Sequence, residues 1–175
     1  GEIMLCLVVR RDISRELAGF VREVTQKYPQ IVSVVLNINP EKTNVILGKK
    51  CVTLFGSDTI SDVMCGNKVD ISPLSFYQVN TVQAERLYAK ALEYAAPDNT
   101  KVIVDLYCGA GTITLALSDH AKKVLGAEIV PEAIDDAREN AVRNEVKNVE
   151  FFCGDASDVA KKLAQEHLRP DVITV

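Results

Sequence analysis

Tryptophan is absent from the 175 residues, and histidine and methionine occur only twice each. With so few histidines, and with no two of the five cysteines in a Cys-x-x-Cys pair, a metal site is not expected. Cys6, Cys51, Cys65, Cys108 and Cys153 lie mostly in apolar runs, where cysteine behaves as a small hydrophobe, and they are expected to be reduced thiols of a cytoplasmic protein. No apolar run approaches 18 residues, so no membrane span and no signal peptide is expected. A large basic excess is also missing. The formal charge is −4, with nine basic and eight acidic residues over 1–75 and eleven basic and sixteen acidic over 76–175. Neither part has the charge of a stand-alone nucleic-acid binder.

What is present is an apolar content of 47 %, enough to bury a core, in a length that holds one domain and part of another. Residues 3–10 read as a strand. A helix capped by Asp12 or Ser14 follows, with Leu17, Phe20, Val21, Val24 and Tyr28 at helical spacing up to Pro29. A second strand runs over 31–37, residues 39–44 read as a turn, and shorter strands are expected at Val45–Leu47, Cys51–Phe55 and Lys68–Ser72. This gives a small α+β domain over 1–72. Pro73 and its serines form a connection, and Asn80 reads as the cap of a helix that ends near Pro97.

From 101 onward strands and helices alternate: strand 101–106, helix 112–119, strand 123–128, helix 131–143, strand 148–153, helix 156–166, and a strand beginning at Asp171. The fold class is α/β, a Rossmann-like parallel sheet over 73–175, with right-handed crossovers. The chain opens on Gly1-Glu2 directly before a strand and stops at Val175 part-way along another. A truncated fragment is therefore expected, with an open strand edge at 172–175 that invites self-association.

The chemistry is concentrated around Val102-Ile103-Val104-Asp105-Leu106-Tyr107-Cys108-Gly109-Ala110-Gly111-Thr112. A strand, a tight glycine turn and a helix start bring backbone N–H groups close to a ligand. The third glycine of the dinucleotide fingerprint would fall at Thr114 and is missing. That counts against a nicotinamide-dinucleotide domain, the reading from another class. Ligands of such sheets sit beyond the carboxyl ends of the strands. Asp105 is placed to meet an ammonium, while turn amides at Gly109 and Gly111 face a carboxylate. Glu128 ends the next strand and is suited to a ribose diol. Asp155 follows the third strand, either as a helix cap or as an acceptor for an adenine amino group. Gln78 is either a loop residue or part of the site. Cys108, in the turn, is read as structural. Asp-x-x-x-Gly-x-Gly followed by a second acid is similar to the first motifs of S-adenosyl-L-methionine-dependent methyltransferases.

Ser75-Phe76-Tyr77-Gln78-Val79-Asn80, Asp105 to Thr112, and Gly126-Ala127-Glu128-Ile129-Val130-Pro131-Glu132-Ala133 together resemble the RNA (uracil-5-)-methyltransferase family. The first string is the distinguishing one. The resemblance implies a methyltransferase of 23S ribosomal RNA, favoured over transfer RNA, with S-adenosyl-L-methionine as cofactor. It implies that Gln78, Tyr107, Thr112, Glu128 and Asp155 line the cofactor site. A cysteine thiolate would attack C6 of uracil, and a base would remove the C5 proton. The family's Asp-Pro-Pro-Arg string, its nucleophile and its base would all fall beyond Val175, so no catalytic residue is expected within the chain and the fragment is expected to be inactive. A methyltransferase of another substrate is the alternative within the same class.

Overall fold

The structure is a computed structural model that describes residues 1–42 and 44–175. The expected turn at 39–44 includes Thr43, which lies outside the described residues. The chain separates into two compact units, Gly1–Asp62 with Ile71–Leu74, and Val63–Asp70 with Ser75–Val175. The stretch Val63–Asp70, assigned above to the first part, groups with the second.

The first unit holds β1 (Ile3–Val9), α1 (Ala18–Lys27), β2 (Ile31–Ile38) and β3 (Lys50–Gly56). β1 and β2 are parallel and connected through α1, and β3 pairs antiparallel with β2, giving the order β1-β2-β3. The β-branched and leucine run of the central strand makes its core, with Val34, Val35 and Leu36 fully buried. Two local expectations differ. α1 begins at Ala18, after turns closed by Glu16 and Leu17 N–H groups, and it has no side-chain cap. Asp12 instead accepts the Ser14 N–H at 3.0 Å upstream of it. Val45–Leu47 is not a strand, because the Val45 and Ile46 carbonyls accept from the Asn39 amide at 2.8 and 3.0 Å rather than from a ladder.

β4 (Ile60–Met64) and β5 (Asn67–Ile71) form a hairpin. Its two-residue turn, Cys65-Gly66, has φ of +50° and +80°, the paired positive values of a primed hairpin turn.

The second unit continues with α2 (Thr81–Ala95), β6 (Val102–Asp105), α3 (Thr112–Ser118), β7 (Lys123–Glu128), α4 (Pro131–Arg143), β8 (Val149–Cys153), α5 (Ala156–Gln165) and β9 (Val172–Thr174). From β6 on, these bounds lie within one residue of the expected ones. Asn80 caps α2, its side chain accepting the Gln83 N–H at 3.2 Å. All pairs in the sheet are parallel and the order is β8-β7-β6-β9. Ile103, Leu117, Val124 and Ala95 pack on one face, as do Leu115, Ile134, Ala137 and Phe151. Val104, Leu125, Ala127, Val159 and Leu163 pack on the other, under α5. The chain steps from β6 to β7 to β8 in one direction and then returns to the far side of β6, so the switch point lies between β6 and β9. Among the described residues no helix is long and apolar enough to cross a membrane.

In the first unit the buried Asn37 holds Gly48 by both backbone groups, donating to its carbonyl at 2.8 Å and accepting its N–H at 2.7 Å. A Cβ at Gly48 would overlap the Ile38 carbonyl, so the loop depends on this close approach. Asn37→Ala strands both groups and is expected to cost about 1–3 kcal/mol in urea unfolding followed by circular dichroism. A loss below a few tenths would contradict this role.

Candidate functional site

The turn between β6 and α3 is built on positive backbone angles, φ +52° at Gly109 and +84° at Gly111. The two glycines do different work. A Cβ at Gly109 would meet nothing nearer than the Phe76 carbonyl at 3.8 Å, so its face is open to a ligand. A Cβ at Gly111 would press on Ala137 at 3.1 Å and Phe151 at 3.3 Å, so this glycine lets α3 and α4 approach each other. Gly126 in β7 is tighter still: a Cβ there would stand 2.8 Å from the Phe151 ring and 3.0 Å from the Cys108 sulfur.

Beside the turn is a cavity of about 230 Å³ at the β6/β9 switch point, of the order of a small-molecule site. Gln78, Asp105, Tyr107, Gly109 and Thr112 line it, with Phe76, Leu87 and Tyr88 completing the wall. Tyr107 is 67 % exposed and Phe76 74 %, so two aromatic faces stand at its mouth. Thr112 shares a hydrogen bond with the Tyr88 hydroxyl at 2.8 Å. Five of the eight expected residues therefore meet on one wall.

The other three lie off that wall. Gly111 is behind the turn. Glu128 closes β7, with Oε2 accepting the Gly109 N–H at 3.2 Å and Oε1 accepting from Ile129 and Val130 at 2.8 and 3.0 Å. Its carboxylate thus ties the two residues that lead into α4 to the glycine turn. Asp155 lies after β8 and caps α5, accepting the Ser157 N–H at 2.8 Å. The helix-cap alternative therefore describes its contact in this structure.

Asp105 is 3 % exposed, although its edge reaches the cavity. Thr114 donates to its Oδ2 at 2.7 Å and the Tyr107 N–H to its Oδ1 at 3.4 Å. Thr114, noted in the sequence only as a missing glycine, thus anchors the carboxylate. Burial pushes the Asp105 carboxyl up to about 6, with hydrogen bonds from Thr114, Tyr107 and Thr174 opposing and the Glu128 charge adding to the rise. Burial, then the charges of Asp105 and Glu128, hold the Cys108 thiol well above its usual range. Cys108 is packed in the core, only 3 % exposed.

Asn140, which sequence reading passed over, donates to the Ala110 carbonyl of the turn at 3.1 Å. Its signal was a polar side chain among the inward apolar positions of α4, Ala133, Ile134, Ala137 and Ala141. Among the described residues no group of three or more His, Cys, Asp or Glu side chains is placed to hold a metal ion.

A glycine turn and a strand-end acid at the switch point of a parallel sheet define a nucleotide-binding α/β domain. The chain matches the tRNA (Uracil-5-)-methyltransferase family over residues 1–169 and belongs to it. An uncharacterised RNA methyltransferase of Oceanobacillus iheyensis is 47 % identical over 174 residues, covering 99 % of this chain and 38 % of that protein. One from Staphylococcus aureus (strain MSSA476) is 40 % identical over the same length, again covering 99 % of this chain and 38 % of the relative. The chain thus spans well under half the length of these curated relatives. Among solved structures, the fold resembles Pyrococcus abyssi tRNA (uracil-54, C5)-methyltransferase in complex with S-adenosyl-L-homocysteine, with TM-score 0.66, 24 % identity, and coverage of 87 % of this chain and 36 % of that one. It also resembles M. jannaschii tRNA m1G37 methyltransferase, with TM-score 0.54, 16 % identity, and coverage of 89 % and 47 %.

The raised Asp105 value makes a stability prediction with a definite sign. Folding raises this pKa from 3.8 to about 6, so the folded state binds the proton more tightly. That stabilisation is complete below about pH 3.8 and is lost as pH rises through 6, an amount of about 3 kcal/mol at 1.36 kcal/mol per unit. Asp105→Asn does not titrate there. Its stability relative to wild type is expected to rise by about 2 kcal/mol between pH 4 and pH 7.5 in urea unfolding, the part of the effect that falls in that window. A pH-independent difference would contradict the assignment.

Proposed function

We propose that this chain supplies the S-adenosyl-L-methionine-binding part of an enzyme that methylates C5 of a uridine in RNA, in 23S ribosomal RNA rather than transfer RNA. The observation that carries the cofactor reading is the open Gly109 face between the switch-point cavity and the Glu128 carboxylate that ends the neighbouring strand, in a chain of this family. The donor set fits the group. The unobstructed Gly109 face admits a close approach, although the Gly109 and Gly111 N–H groups expected to meet a carboxylate are taken here by Glu128 and the Cys108 carbonyl; a strand-end acid suits a ribose diol, and exposed aromatic faces suit a planar base.

Under this reading, Glu128 accepts from the sugar hydroxyls with the lone pairs its backbone donors leave over. Gln78 and Thr112 supply polar contacts from the cavity lining, and Tyr107 and Phe76 flank the opening. Asp155 keeps one carboxylate oxygen for an exocyclic amino group while the other caps α5. Asp105 lends negative charge to the cavity floor, and a cation bound there would favour its ionised form. When bound, S-adenosyl-L-methionine supplies an electrophilic methyl group on a sulfonium. Cys108 stays neutral and packed, so the attacking thiolate and the base are proposed to lie outside residues 1–175. The RNA part of the substrate reading is supported by the named relatives, which are RNA methyltransferases, and the uracil part by the Ser75–Asn80 string and the family match.

Titration calorimetry tests the cofactor half. S-adenosyl-L-homocysteine is expected to bind this chain, NAD is not, and Glu128→Gln is expected to weaken binding tenfold or more, about 1.4 kcal/mol. Absence of heat with S-adenosyl-L-homocysteine on folded protein would overturn the assignment. For the substrate half, the full-length protein is expected to place labelled methyl on uracil C5 of 23S ribosomal RNA in preference to transfer RNA, while the 175-residue chain transfers none. Label on another atom or base would overturn it.

A further inference from the structure

We infer that Asn140 on α4 is a positioning residue of the cofactor cavity, setting the peptide plane between Ala110 and Gly111 and through it the open amide face of the glycine turn. The inference rests on the cofactor reading above.

Asn140 is fully buried, and both ends of its amide are used. Its nitrogen donates to the Ala110 carbonyl at 3.1 Å and to the Asp70 carbonyl at 3.0 Å. Its oxygen accepts the Asp70 N–H at 2.7 Å and an Arg143 N–H at 3.1 Å. The other side of the same peptide is held as well, since the Gly111 N–H donates to the Cys108 carbonyl at 2.8 Å. One peptide unit is thus gripped at its oxygen by a side chain from α4 and at its hydrogen by the turn itself. Gly109 shares the turn, and its N–H is the one that reaches Glu128. The Gly109 N–H belongs to the peptide two units earlier, so the Ala110–Gly111 plane acts on it through the Gly109 and Ala110 dihedrals of this short turn.

Asn140 is itself fixed from outside the turn. β5 presents Lys68 and Asp70 to α4, and Asn144 takes both backbone groups of Lys68, accepting at 2.9 Å and donating at 2.7 Å, as Asn140 does for Asp70. Two residues along a strand advance about 6.6 Å and four along a helix about 6 Å, so asparagines at i and i+4 meet strand residues two apart. Arg143 adds an ion pair to Asp70 at 2.6 Å. The hairpin edge is therefore the fixed rail from which Asn140 reaches the turn. Four residues before Asn140 on the same helix, Asp136 accepts from the Ser75 hydroxyl at 2.5 Å, at the start of the segment that brings Phe76 and Gln78 to the cavity.

Asn144 makes the discriminating control, because it carries the rail contact without touching the turn. Asn140→Asp removes both donors and keeps the acceptor. It is expected to weaken S-adenosyl-L-homocysteine binding at least tenfold and to speed amide hydrogen exchange at Gly111 at least tenfold. Asn144→Ala is expected to lower the melting temperature while leaving affinity and Gly111 exchange within twofold of wild type. Equal effects of the two variants on affinity, or a loss of melting temperature in Asn140→Asp with unchanged affinity and exchange, would overturn the inference and make Asn140 a structural residue only. Should Asn140→Asp fail to fold, the wild-type protein decides. On titration with S-adenosyl-L-homocysteine the Asn140 side-chain amide resonances are expected to shift, and unmoved resonances in a protein that binds would overturn the inference. Wild-type protein that binds no S-adenosyl-L-homocysteine refutes the cofactor reading instead, and the exchange comparison still decides whether Asn140 sets the turn.

Discussion

The second unit depends on holding one short turn in a single one of the many conformations open to its glycines. Gly109 and Gly111 both have positive φ, and the turn they form is closed internally by the Gly111-to-Cys108 backbone hydrogen bond and a long contact from the Cys108 thiol to the Gly109 carbonyl. Everything else that holds it comes from other elements: the Ala127 carbonyl takes the Cys108 N–H, Glu128 takes the Gly109 N–H, Asn140 takes on the Ala110 carbonyl, and Asp105 is anchored by Thr114. Glycine has the most conformational freedom to lose on ordering, so these external bonds define the shape of the open amide face. The raised carboxyl of Asp105 shows what this arrangement costs, since an ionisable group is kept almost dry to serve as the anchor.

Topology explains why those partners are within reach. A parallel strand ends where its following helix begins, so β6, β7 and β8 deliver their terminal residues to one edge of the sheet. Neighbouring strands are about 4.8 Å apart, which places Asp105, Glu128 and the Gly154–Asp155 segment in sequence along that edge. The return to β9 on the far side of β6 opens the gap that the cavity occupies. α4 then uses its two sides differently: small apolar residues face Leu115 and Phe151, while Asp136 and Asn140 hold polar backbone and hydroxyl groups that burial would otherwise strand.

Much of this is legible in the amino-acid sequence. The strand and helix bounds from β6 onward follow from period and punctuation, because each βα unit carries its own apolar pattern and its own glycine, proline or acid at the boundary. The glycine turn and Glu128 were legible for the same local reason. What stayed hidden depends on the partner across space. Nothing in the string distinguishes the open face of Gly109 from the packed face of Gly111, since that is decided by Ala137 and Phe151 on other elements. Thr114 read as a gap in a fingerprint and is a donor to Asp105. Asn140 read as one polar residue in an amphipathic helix, and its four hydrogen bonds run to residues 3, 30 and 70 positions away. In the first unit, Asp12 and Ser14 have the chemistry of helix caps, yet they are used in the turns that lead into α1.

Gly126 has a consequence for how such chains vary. The space that a side chain would need in β7 is already filled by the Cys108 sulfur and the Phe151 ring. The three positions therefore share one fixed volume, although they belong to a strand, a turn and a second strand. A larger residue at 126 becomes tolerable only when 108 or 151 shrinks in the same molecule, so the effect of each substitution depends on its background. Recombining segments between relatives, or grafting β7 into another scaffold, succeeds only where the three are exchanged together.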